Sequence, residues 1–230
     1  MAIDLAIVTG ATSGIGRATA IALAKRGVQV ALIGRRKDAL AQVRELCPGS
    51  LAWEVDLTAD DAVKTVVSNV SKWMPEAKIG LVNAAGIAQF GDFHNSEPRA
   101  QLEINLVAPL QLTACVIPCM LARQYGRVVS VSSIAAVHAF PGAATYSASK
   151  AGLLAATKSL NAEYRARGIY FTTVIVGATD TELWDSQSFV PDRSDMLRPE
   201  VVGDLIADIL FAPGDRVLEE ITIMPPKGIL

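Results

Sequence analysis

Short apolar runs alternate with longer helix-like stretches along almost the whole chain. The short runs are rich in Val and Ile and apolar at nearly every position, which is typical of parallel strands covered on both faces. This pattern predicts strands at Asp4–Thr9, Val28–Ile33, Leu51–Val55, Ile79–Val82, Arg127–Ser132, Tyr170–Val176 and Glu220–Ile223. It predicts helices near 15–26, 37–46, 59–73, 99–124, 145–166 and 200–211.

The alternation of strands and helices predicts an α/β fold. With right-handed crossovers, the seven strands form one doubly wound, Rossmann-like parallel sheet with helices on both faces. There is no internal repeat and no linker rich in Pro, Gly and Ser, so we expect residues 1–230 to form a single domain. The sequence Thr58-Ala-Asp-Asp61 before the third helix indicates a capping box at its start.

The composition adds an apolar surplus to this picture. Of the 230 residues, 51% are hydrophobic and 19% charged, with a net charge of −2, and the mean hydropathy is +0.34. The apolar content excludes intrinsic disorder, and a near-zero charge gives no support to a nucleic-acid partner. The surplus is expected to lie in a larger core, a subunit interface or a membrane face.

One uncharged run, Ile104–Ala122, is long enough to suggest a membrane span. It also contains residues that are unfavourable in lipid, namely Asn105, Pro109, Gln111, Thr113 and Pro118. We interpret the run as a helix of a soluble protein that is buried on both sides, and we predict no membrane partner.

The cysteines and histidines favour neither disulfides nor a metal site. Cys47, Cys115 and Cys119 make an odd set, and no signal-peptide pattern is visible at Met1, which together favour a cytoplasmic location. The two histidines do not stand at metal-ligand spacing, so no metal is predicted.

A glycine-rich loop, Thr9-Gly10-Ala-Thr-Ser-Gly14-Ile-Gly16, follows the first strand and opens the first helix. Glycines allow the backbone to approach a pyrophosphate, which binds the free N–H groups at a helix start. Taken alone, the loop would be better explained as a glycine-rich turn that packs helix on strand. Its place between the first strand and the first helix favours dinucleotide binding. The expected contacts are Gly10, Thr12, Ser13, Gly14, Ile15 and Gly16.

The second strand ends in Arg35 and Arg36, with no acidic residue before Asp38. A carboxylate at this place usually holds the ribose hydroxyls of NAD, whereas a guanidinium pairs with a 2′-phosphate. The pair therefore predicts a preference for NADP(H) over NAD(H). The alternative is that both arginines are simply solvated loop residues.

Tyr146 and Lys150 stand four residues apart near the start of a predicted helix and so share one face. A neighbouring ammonium, together with the positive nicotinamide of an oxidised cofactor, would favour the phenolate form and bring the pKa of Tyr146 towards the range useful for a general acid or base. Ser133 lies at the end of the fifth strand, where ligands bind in open α/β sheets. Strand alternation favours Ser133 over Ser132 as the hydroxyl next to the tyrosine. Asn105 is interpreted both as a bonded core amide and as a holder of the water that connects Lys150 to solvent.

With these motifs in this order, the sequence resembles the short-chain dehydrogenase/reductase family in its compact form. The motifs are the glycine loop, Asp56-Leu57, Asn83-Ala-Ala-Gly86, Asn105, Ser133, and Tyr146 with Lys150. The resemblance implies that Asn105, Ser133, Tyr146 and Lys150 form a catalytic tetrad. It implies further cofactor contacts at Asp56, Leu57, Asn83, Ala84, Gly86, Tyr146, Lys150, Gly177, Thr179 and Thr181.

One departure from the family pattern concerns the turn after the sixth strand. Val176 stands where the family carries a stiffening proline, which puts the nicotinamide contact of Thr181 in question. Beyond it, the segment 182–198 is expected to be a substrate lid. Its apolar side would carry Trp184, Phe189 and Met196, and its polar side Asp185, Asp192, Arg193 and Asp195; His138 and Phe140 would line the opposite wall. Core packing of Trp184 and Phe189 is an equally good interpretation.

The function implied is an NADPH-dependent oxidoreductase that reduces a ketone or aldehyde to an alcohol, reversibly, by hydride transfer with Tyr146 as general acid or base. The substrate would be a small carbonyl compound or alcohol. An alternative is a catalytically silent NADP(H)-binding sensor or scaffold. Epimerase or dehydratase chemistry belongs to extended relatives with a larger C-terminal region. The resemblance also implies a homodimer or homotetramer that packs through the helices near 99–124 and 145–166.

Overall fold

The computed structural model describes residues 3–213 and 215–230 and places all seven strands in one parallel sheet. The strand order is β3-β2-β1-β4-β5-β6-β7, so the predicted α/β fold and seven-stranded sheet are confirmed. The longest pairing joins β5 to β6, from Gly126 opposite Ile169 to Ser133 opposite Val176. The strands are β1 Leu5–Thr9, β2 Gln29–Gly34, β3 Leu51–Glu54, β4 Ile79–Asn83, β5 Gly126–Ser133, β6 Ile169–Val176 and β7 Glu220–Ile223.

Helices cover both faces of the sheet because its strands are apolar on both sides. Along β1, Ala6 and Val8 belong to one buried cluster, while Leu5 and Ile7 belong to the other. The first cluster contains residues of α1, α2 and α7, and the second contains residues of α3 and α5, with α6 packed at its edge. The helices are α1 Gly14–Lys25, α2 Lys37–Glu45, α3 Ala62–Trp73, α4 Pro98–Leu102, α5 Ala108–Ala122, α6 Ala144–Tyr164 and α7 Pro199–Leu210.

The predicted capping box at the start of α3 is wrong. The helix begins at Ala62, and Asp61 before it has a left-handed backbone (φ 57°) and makes no side-chain cap bond. Thr58 instead donates its hydroxyl to Asp56 Oδ1 at 2.7 Å. Thr58, which the predicted capping box would place at the helix start, therefore bonds within the turn that precedes the helix.

The apolar helix predicted at 99–124 is interrupted. A π-helical turn, Glu103–Val107, separates α4 from α5 and contains Asn105, which is fully buried. Wide turns of this type often accompany functional sites. The interruption rotates the polar Asn105 inward while the flanking turns remain helical.

The combined stretch Pro98–Ala122 is long and apolar enough to cross a membrane, with a mean hydropathy of 1.8, and 44% of its apolar window is buried inside the chain. One side packs on α3, β4 and β5, while Gln111, Ala114 and Pro118 on another side are exposed. The expectation of burial on both sides is thus not met within one chain.

The carboxyl ends of β1 and β4 are tied together by one hydroxyl. Thr9 Oγ1 accepts from the N–H groups of Ala84 and Ala85 at 3.0 and 3.1 Å and donates to Val82 O at 3.3 Å. These two strands flank the point where the strand order reverses, which is where open α/β sheets bind ligands.

Candidate active site

Two neighbouring cavities lie at the carboxyl edge of the sheet. The first, which we call the tyrosine cavity, has a volume of about 470 Å³ and is lined by Ser133, Tyr146 and Lys150 among others. The second, the glycine-loop cleft, has about 450 Å³ and is lined by the loop after β1 and the end of β2. The residues that line both are Ile15, Ala84, Gly86, Thr181 and Leu183.

The glycine loop has the shape that an approaching pyrophosphate requires. Gly10 has φ +65°, and a Cβ there would lie 2.9 Å from the backbone of Ala85. A Cβ on Gly16 would lie 2.3 Å from Gly10 O. Ser13 makes no side-chain cap bond, so the first N–H groups of α1 remain available to an anion. All six predicted loop contacts line the cleft: Gly10, Thr12, Ser13, Gly14, Ile15 and Gly16.

The two arginines after β2 both line this cleft, but they are not equivalent. Arg36 donates to Thr12 O at 3.2 Å and pairs with Glu182 at 2.8 Å. Arg35 is exposed and has no hydrogen bond or ion pair within residues 3–213 and 215–230. Arg35 is therefore the guanidinium that is free to receive an anion.

Of the two residues in the Asp56-Leu57 motif, only Leu57 lines the glycine-loop cleft. Leu57 is buried and lines the cleft. Asp56 is exposed and is not among the lining residues; its carboxylate accepts the N–H of Thr58 at 3.0 Å and its hydroxyl at 2.7 Å. These hydrogen bonds lower the pKa of Asp56, with a smaller contribution from Arg35.

The residues of the Asn83–Gly86 motif also differ in whether they line a cavity. Asn83 points away from the cleft and donates to Thr113 Oγ1 at 3.2 Å, which ties β4 to α5. Ala84 and Gly86 line both cavities. The structure therefore places Asn83 as a brace and only its neighbours at the ligand side.

The turn after β6 is held without the family's proline. A Cβ on Gly177 would lie 2.7 Å from Pro225 Cδ, and Thr179 pairs with Leu197 in a short bridge. Gly177 and Thr179 line the tyrosine cavity. Thr181 lines both cavities, and its methyl group would be 2.9 Å from a Cβ on Gly14. The turn after β6 is therefore packed closely against the segments around Pro225 and Leu197.

Ser133, Tyr146 and Lys150 are brought together by the packing of α6 on β5. Ser133 at the end of β5 lies beside the Tyr146 side chain and lowers its pKa. Ser132 points to the other side and donates its hydroxyl to Lys150 O at 3.1 Å. Lys150 Nζ donates to Val131 O at 3.0 Å. The alternation along β5 therefore places Ser133, and not Ser132, against the tyrosine.

Burial dominates the proton affinities of this group. It raises the pKa of Tyr146, partly offset by the hydrogen bond with Ser133. It lowers the pKa of Lys150 to about 8. The sequence led us to expect that Lys150 and an oxidised nicotinamide together lower the pKa of Tyr146; in the protein alone, this pKa is raised. The ammonium lies 5.8 Å from the centre of the Tyr146 ring, and desolvation outweighs its attraction.

Asn105 is a fully bonded amide next to the catalytic group. Its Oδ1 accepts from Ile87 N at 2.9 Å, and its Nδ2 donates to Ile87 O at 2.9 Å and Ser149 Oγ at 3.1 Å. A Cβ on Gly86 would lie 2.9 Å from Asn105 Oδ1 and 3.4 Å from Lys150 Nζ. Asn105 and Lys150 therefore border the same glycine, although neither bonds to the other.

The segment 182–198 folds over the tyrosine cavity as two short 3₁₀ turns, Glu182–Trp184 and Arg193–Asp195. Trp184 and Phe189 line the cavity, which decides against core packing for both. Met196 is instead buried outside the lining, and His138 is exposed and packs on Phe140 at 4.9 Å between ring centres. Only Phe140 of the predicted opposite wall faces the cavity.

The polar side of this lid is engaged in ion pairs. Arg193 bonds Asp180 at 2.7 Å and also pairs with Asp185. Lys227 pairs with Asp195 at 2.8 Å, and Asp192 accepts from Ser194. These pairs connect the lid to the turn after β6 and to the segment after β7.

The sequence analysis missed two residues that close the cavity. Gln187 donates to Ala88 O at 2.9 Å and accepts from Phe90 N at 3.3 Å, which joins the lid to the loop after β4. The ring of Phe90 lies 5.6 Å from that of Tyr146. Residues 87–90 and 187 are almost a hundred positions apart, and no local pattern marks either as a partner of the other.

We predict that Lys150→Met stabilises the protein near neutral pH. The folded pKa lies below that of the unfolded chain, so the unfolded state binds more protons between about pH 8 and 10.5 and stability rises with pH there. Below pH 8 the buried charge costs about 3 kcal/mol, which the lost bond to Val131 partly offsets. Urea unfolding should find the variant more stable at pH 7, with a gap that narrows towards pH 10.

Lys158→Met, at an exposed position of the same helix, is the matched control for removing a lysine. A gap between wild type and Lys150→Met that stays constant over this pH range would contradict the prediction.

Comparison with known proteins identifies the family of the chain. The family model described as short chain dehydrogenase matches residues 4–189. An uncharacterized oxidoreductase of Staphylococcus aureus is 28% identical, with 96% of each chain covered. A glycine betaine reductase of Emericella nidulans is 35% identical over 96% of this chain but only 18% of its own length. A short-chain dehydrogenase of Pseudocercospora fijiensis is 36% identical, and 60% of its length is covered.

Among solved structures, an alcohol dehydrogenase from Thermococcus sibiricus in complex with 5-hydroxy-NADP superposes with a TM-score of 0.88. At 22% identity, and with 97% of both chains covered, this likeness supports the fold. The family match spans most of the chain and includes the glycine loop, Ser133, Tyr146 and Lys150. The chain belongs to the short-chain dehydrogenase family, whose members are oxidoreductases that bind a nicotinamide cofactor.

Proposed function

We propose that this protein is an NADPH-dependent carbonyl reductase that interconverts a ketone or aldehyde and the corresponding alcohol. The observation that carries the proposal is that Ser133, Tyr146 and Lys150 line one cavity, with the Lys150 ammonium 5.8 Å from the centre of the Tyr146 ring. These groups line a cavity that shares a wall with the glycine-loop cleft. A substrate in the tyrosine cavity would therefore lie next to a nicotinamide bound beside the residues that line both cavities.

The side chains supply orientation and a proton. A bound nicotinamide supplies or accepts the hydride. Ser133 and Tyr146 would both donate hydrogen bonds to the carbonyl oxygen, and Tyr146 Oη would deliver its proton to that oxygen. Burial keeps the Tyr146 hydroxyl protonated in the free protein, so it is ready to act as the acid. Lys150, with a pKa of about 8, would return the proton, and Asn105 would serve the path to solvent.

Tyr146→Phe is expected to reduce kcat for a carbonyl substrate by about a hundredfold or more, because the general acid is lost. NADPH oxidation with a panel of aldehydes and ketones, followed by the absorbance of the cofactor, measures this. Cofactor affinity should change little. Tyr164→Phe, on the same helix but outside the cavity, is the control. Undiminished turnover in Tyr146→Phe would rule out this mechanism.

The alternative, a catalytically silent NADP(H)-binding sensor or scaffold, lacks support in the site. Such a protein would tolerate loss of Ser133, Tyr146 or Lys150, and all three are present and in contact with their neighbours. Retained binding of NADPH with no turnover of any carbonyl compound would favour it.

We further propose that the cofactor is NADP(H) in preference to NAD(H). The free guanidinium of Arg35 and the absence of an acidic side chain at the end of β2 support this. The Thermococcus relative in the solved structures carries an NADP derivative. Arg36, already bonded to Thr12 and Glu182, would hold the wall of the cleft and contribute less to phosphate binding.

Arg35→Ala is therefore expected to lower the ratio of kcat/KM for NADPH to that for NADH by about tenfold or more, since a charge-assisted bond to the phosphate is lost. Arg44→Ala, an exposed arginine of α2, is the control. Steady-state kinetics with both cofactors gives the ratio. An equal ratio in wild type and Arg35→Ala would refute the assignment.

We also propose a cytoplasmic homodimer or homotetramer, with no membrane or nucleic-acid partner. The three unpaired cysteines support the reducing compartment. The uncovered side of the apolar stretch Pro98–Ala122 supports the assembly, because its exposed residues are mostly uncharged.

Ala114→Arg is expected to shift the elution of the protein in gel filtration to a smaller species, because a charge would be buried in the interface. Ala114 is exposed in the single chain, so the fold should tolerate the change. Ala41→Arg on α2 is the control. A wild-type protein that elutes as a strict monomer would contradict the proposed assembly.

A further inference from the structure

Four aromatic side chains besides Tyr146 line the tyrosine cavity: Phe90, Phe140, Trp184 and Phe189. The ring of Phe90 meets that of Tyr146 edge-on, at 5.6 Å between centres and 89° between planes. The same ring lies 6.1 Å from that of Trp184. Phe140 and Phe189 also line the cavity. A molecule whose oxygen reaches Tyr146 would therefore have several aromatic rings within the same cavity.

The charges of this cavity are few and stand apart. Among its described lining residues, Lys150 is the one basic side chain and Asp92 the one acidic side chain. Lys150 is only 6% exposed and is bonded to Val131 O. Asp92 is exposed, makes no cap bond to the short turn Phe93–Asn95, and has no ion pair in the described part of the chain. Among the described lining residues, the one exposed charged side chain is thus the carboxylate of Asp92.

We propose that the natural substrate is a carbonyl compound that carries a cationic ammonium group. Its oxygen would face Ser133 and Tyr146, and its cation would lie among the aromatic rings within reach of Asp92. The proposal rests on the proposed carbonyl chemistry and names its substrate class. Aromatic faces and a carboxylate are the groups that attract an organic cation, and quaternary ammonium groups are often bound this way.

An anionic substrate fits this cavity poorly. It would meet Asp92 as a like charge and would find no arginine among the described lining residues. The buried ammonium of Lys150 is directed to Val131 O, towards the floor of the cavity. Its pKa of about 8 also weakens its repulsion of a second cation under mildly alkaline conditions. A substrate with a carbonyl group and a cation would have a partner for each among the residues that line this cavity.

The decisive comparison uses two alcohols of the same shape. One is hydroxyethyl-trimethylammonium; the other is its neutral carbon analogue, in which a tert-butyl group replaces the trimethylammonium group. Titration calorimetry with NADPH-loaded protein gives Kd for each, and no turnover occurs because both ligand and cofactor are reduced. The same titration is run on the protein alone. We expect wild type to bind the cation about tenfold more tightly than the neutral alcohol.

Asp92→Asn should remove most of this preference while leaving the Kd of the neutral alcohol unchanged. Phe189→Leu, at a side chain that is 71% exposed, should reduce the preference about threefold without affecting folding. Glu97→Gln is the matched control, an exposed carboxylate of the same loop region that does not line the cavity. It should retain the full preference.

Equal binding of the two alcohols by wild type, or a preference that survives Asp92→Asn, would overturn the proposal. Reduction of neutral aldehydes together with equal binding would leave the carbonyl chemistry intact and remove only the cationic substrate. A cation preference that depends on Asp92, in a protein that reduces no carbonyl compound, would uphold the binding site and overturn the proposed reaction. The two hypotheses can thus fail separately.

Discussion

The site depends on the reciprocal hydrogen bonds between β5 and Lys150. Lys150 Nζ donates to Val131 O, and the hydroxyl of Ser132 donates to the main-chain oxygen of Lys150. These two bonds join the last residues of β5 to the first turns of α6 and so fix the position of the helix along the strand. This register places Tyr146, one helical turn before Lys150, beside Ser133, the residue that follows Ser132. This arrangement buries the Lys150 ammonium, and the loss of water around it lowers the pKa of Lys150 to about 8.

A second constraint shapes the other half of the site. The Thr9 hydroxyl and the glycine loop bring the end of β1 within van der Waals distance of the segment after β4. No side chain fits between Gly10 and Ala85, so the backbone itself forms the wall of the cleft. The two cavities then share Ala84 and Gly86, which is the geometric condition for a nicotinamide to reach the tyrosine.

Much of the fold follows from patterns that are local in the sequence. Seven apolar runs separated by helical stretches predict a parallel sheet, and the structure contains that sheet. Boundaries were less certain: Asp61 adopts a left-handed backbone, and α3 begins after it. The break at Glu103–Val107 was not predicted, because a π turn is a small rearrangement of hydrogen bonds inside an apolar helix. The proton affinity of Tyr146 was also misjudged, since spacing reveals a neighbouring ammonium but not the loss of water around both groups.

The sequence by itself determined the family, the glycine loop, and the order of Ser133, Tyr146 and Lys150, because each is a short-range pattern. Only the tertiary structure decided which neighbours shape the ligand side. Asn83 and Asp56 belong to family motifs, yet their side chains bond Thr113 and Thr58 away from the lining. Arg36 is occupied by Glu182, while Arg35 remains free. Phe90, Asp92 and Gln187 join the tyrosine cavity through contacts between distant segments. Such contacts depend on how the loops pack above the sheet, and no periodicity in the chain encodes that packing.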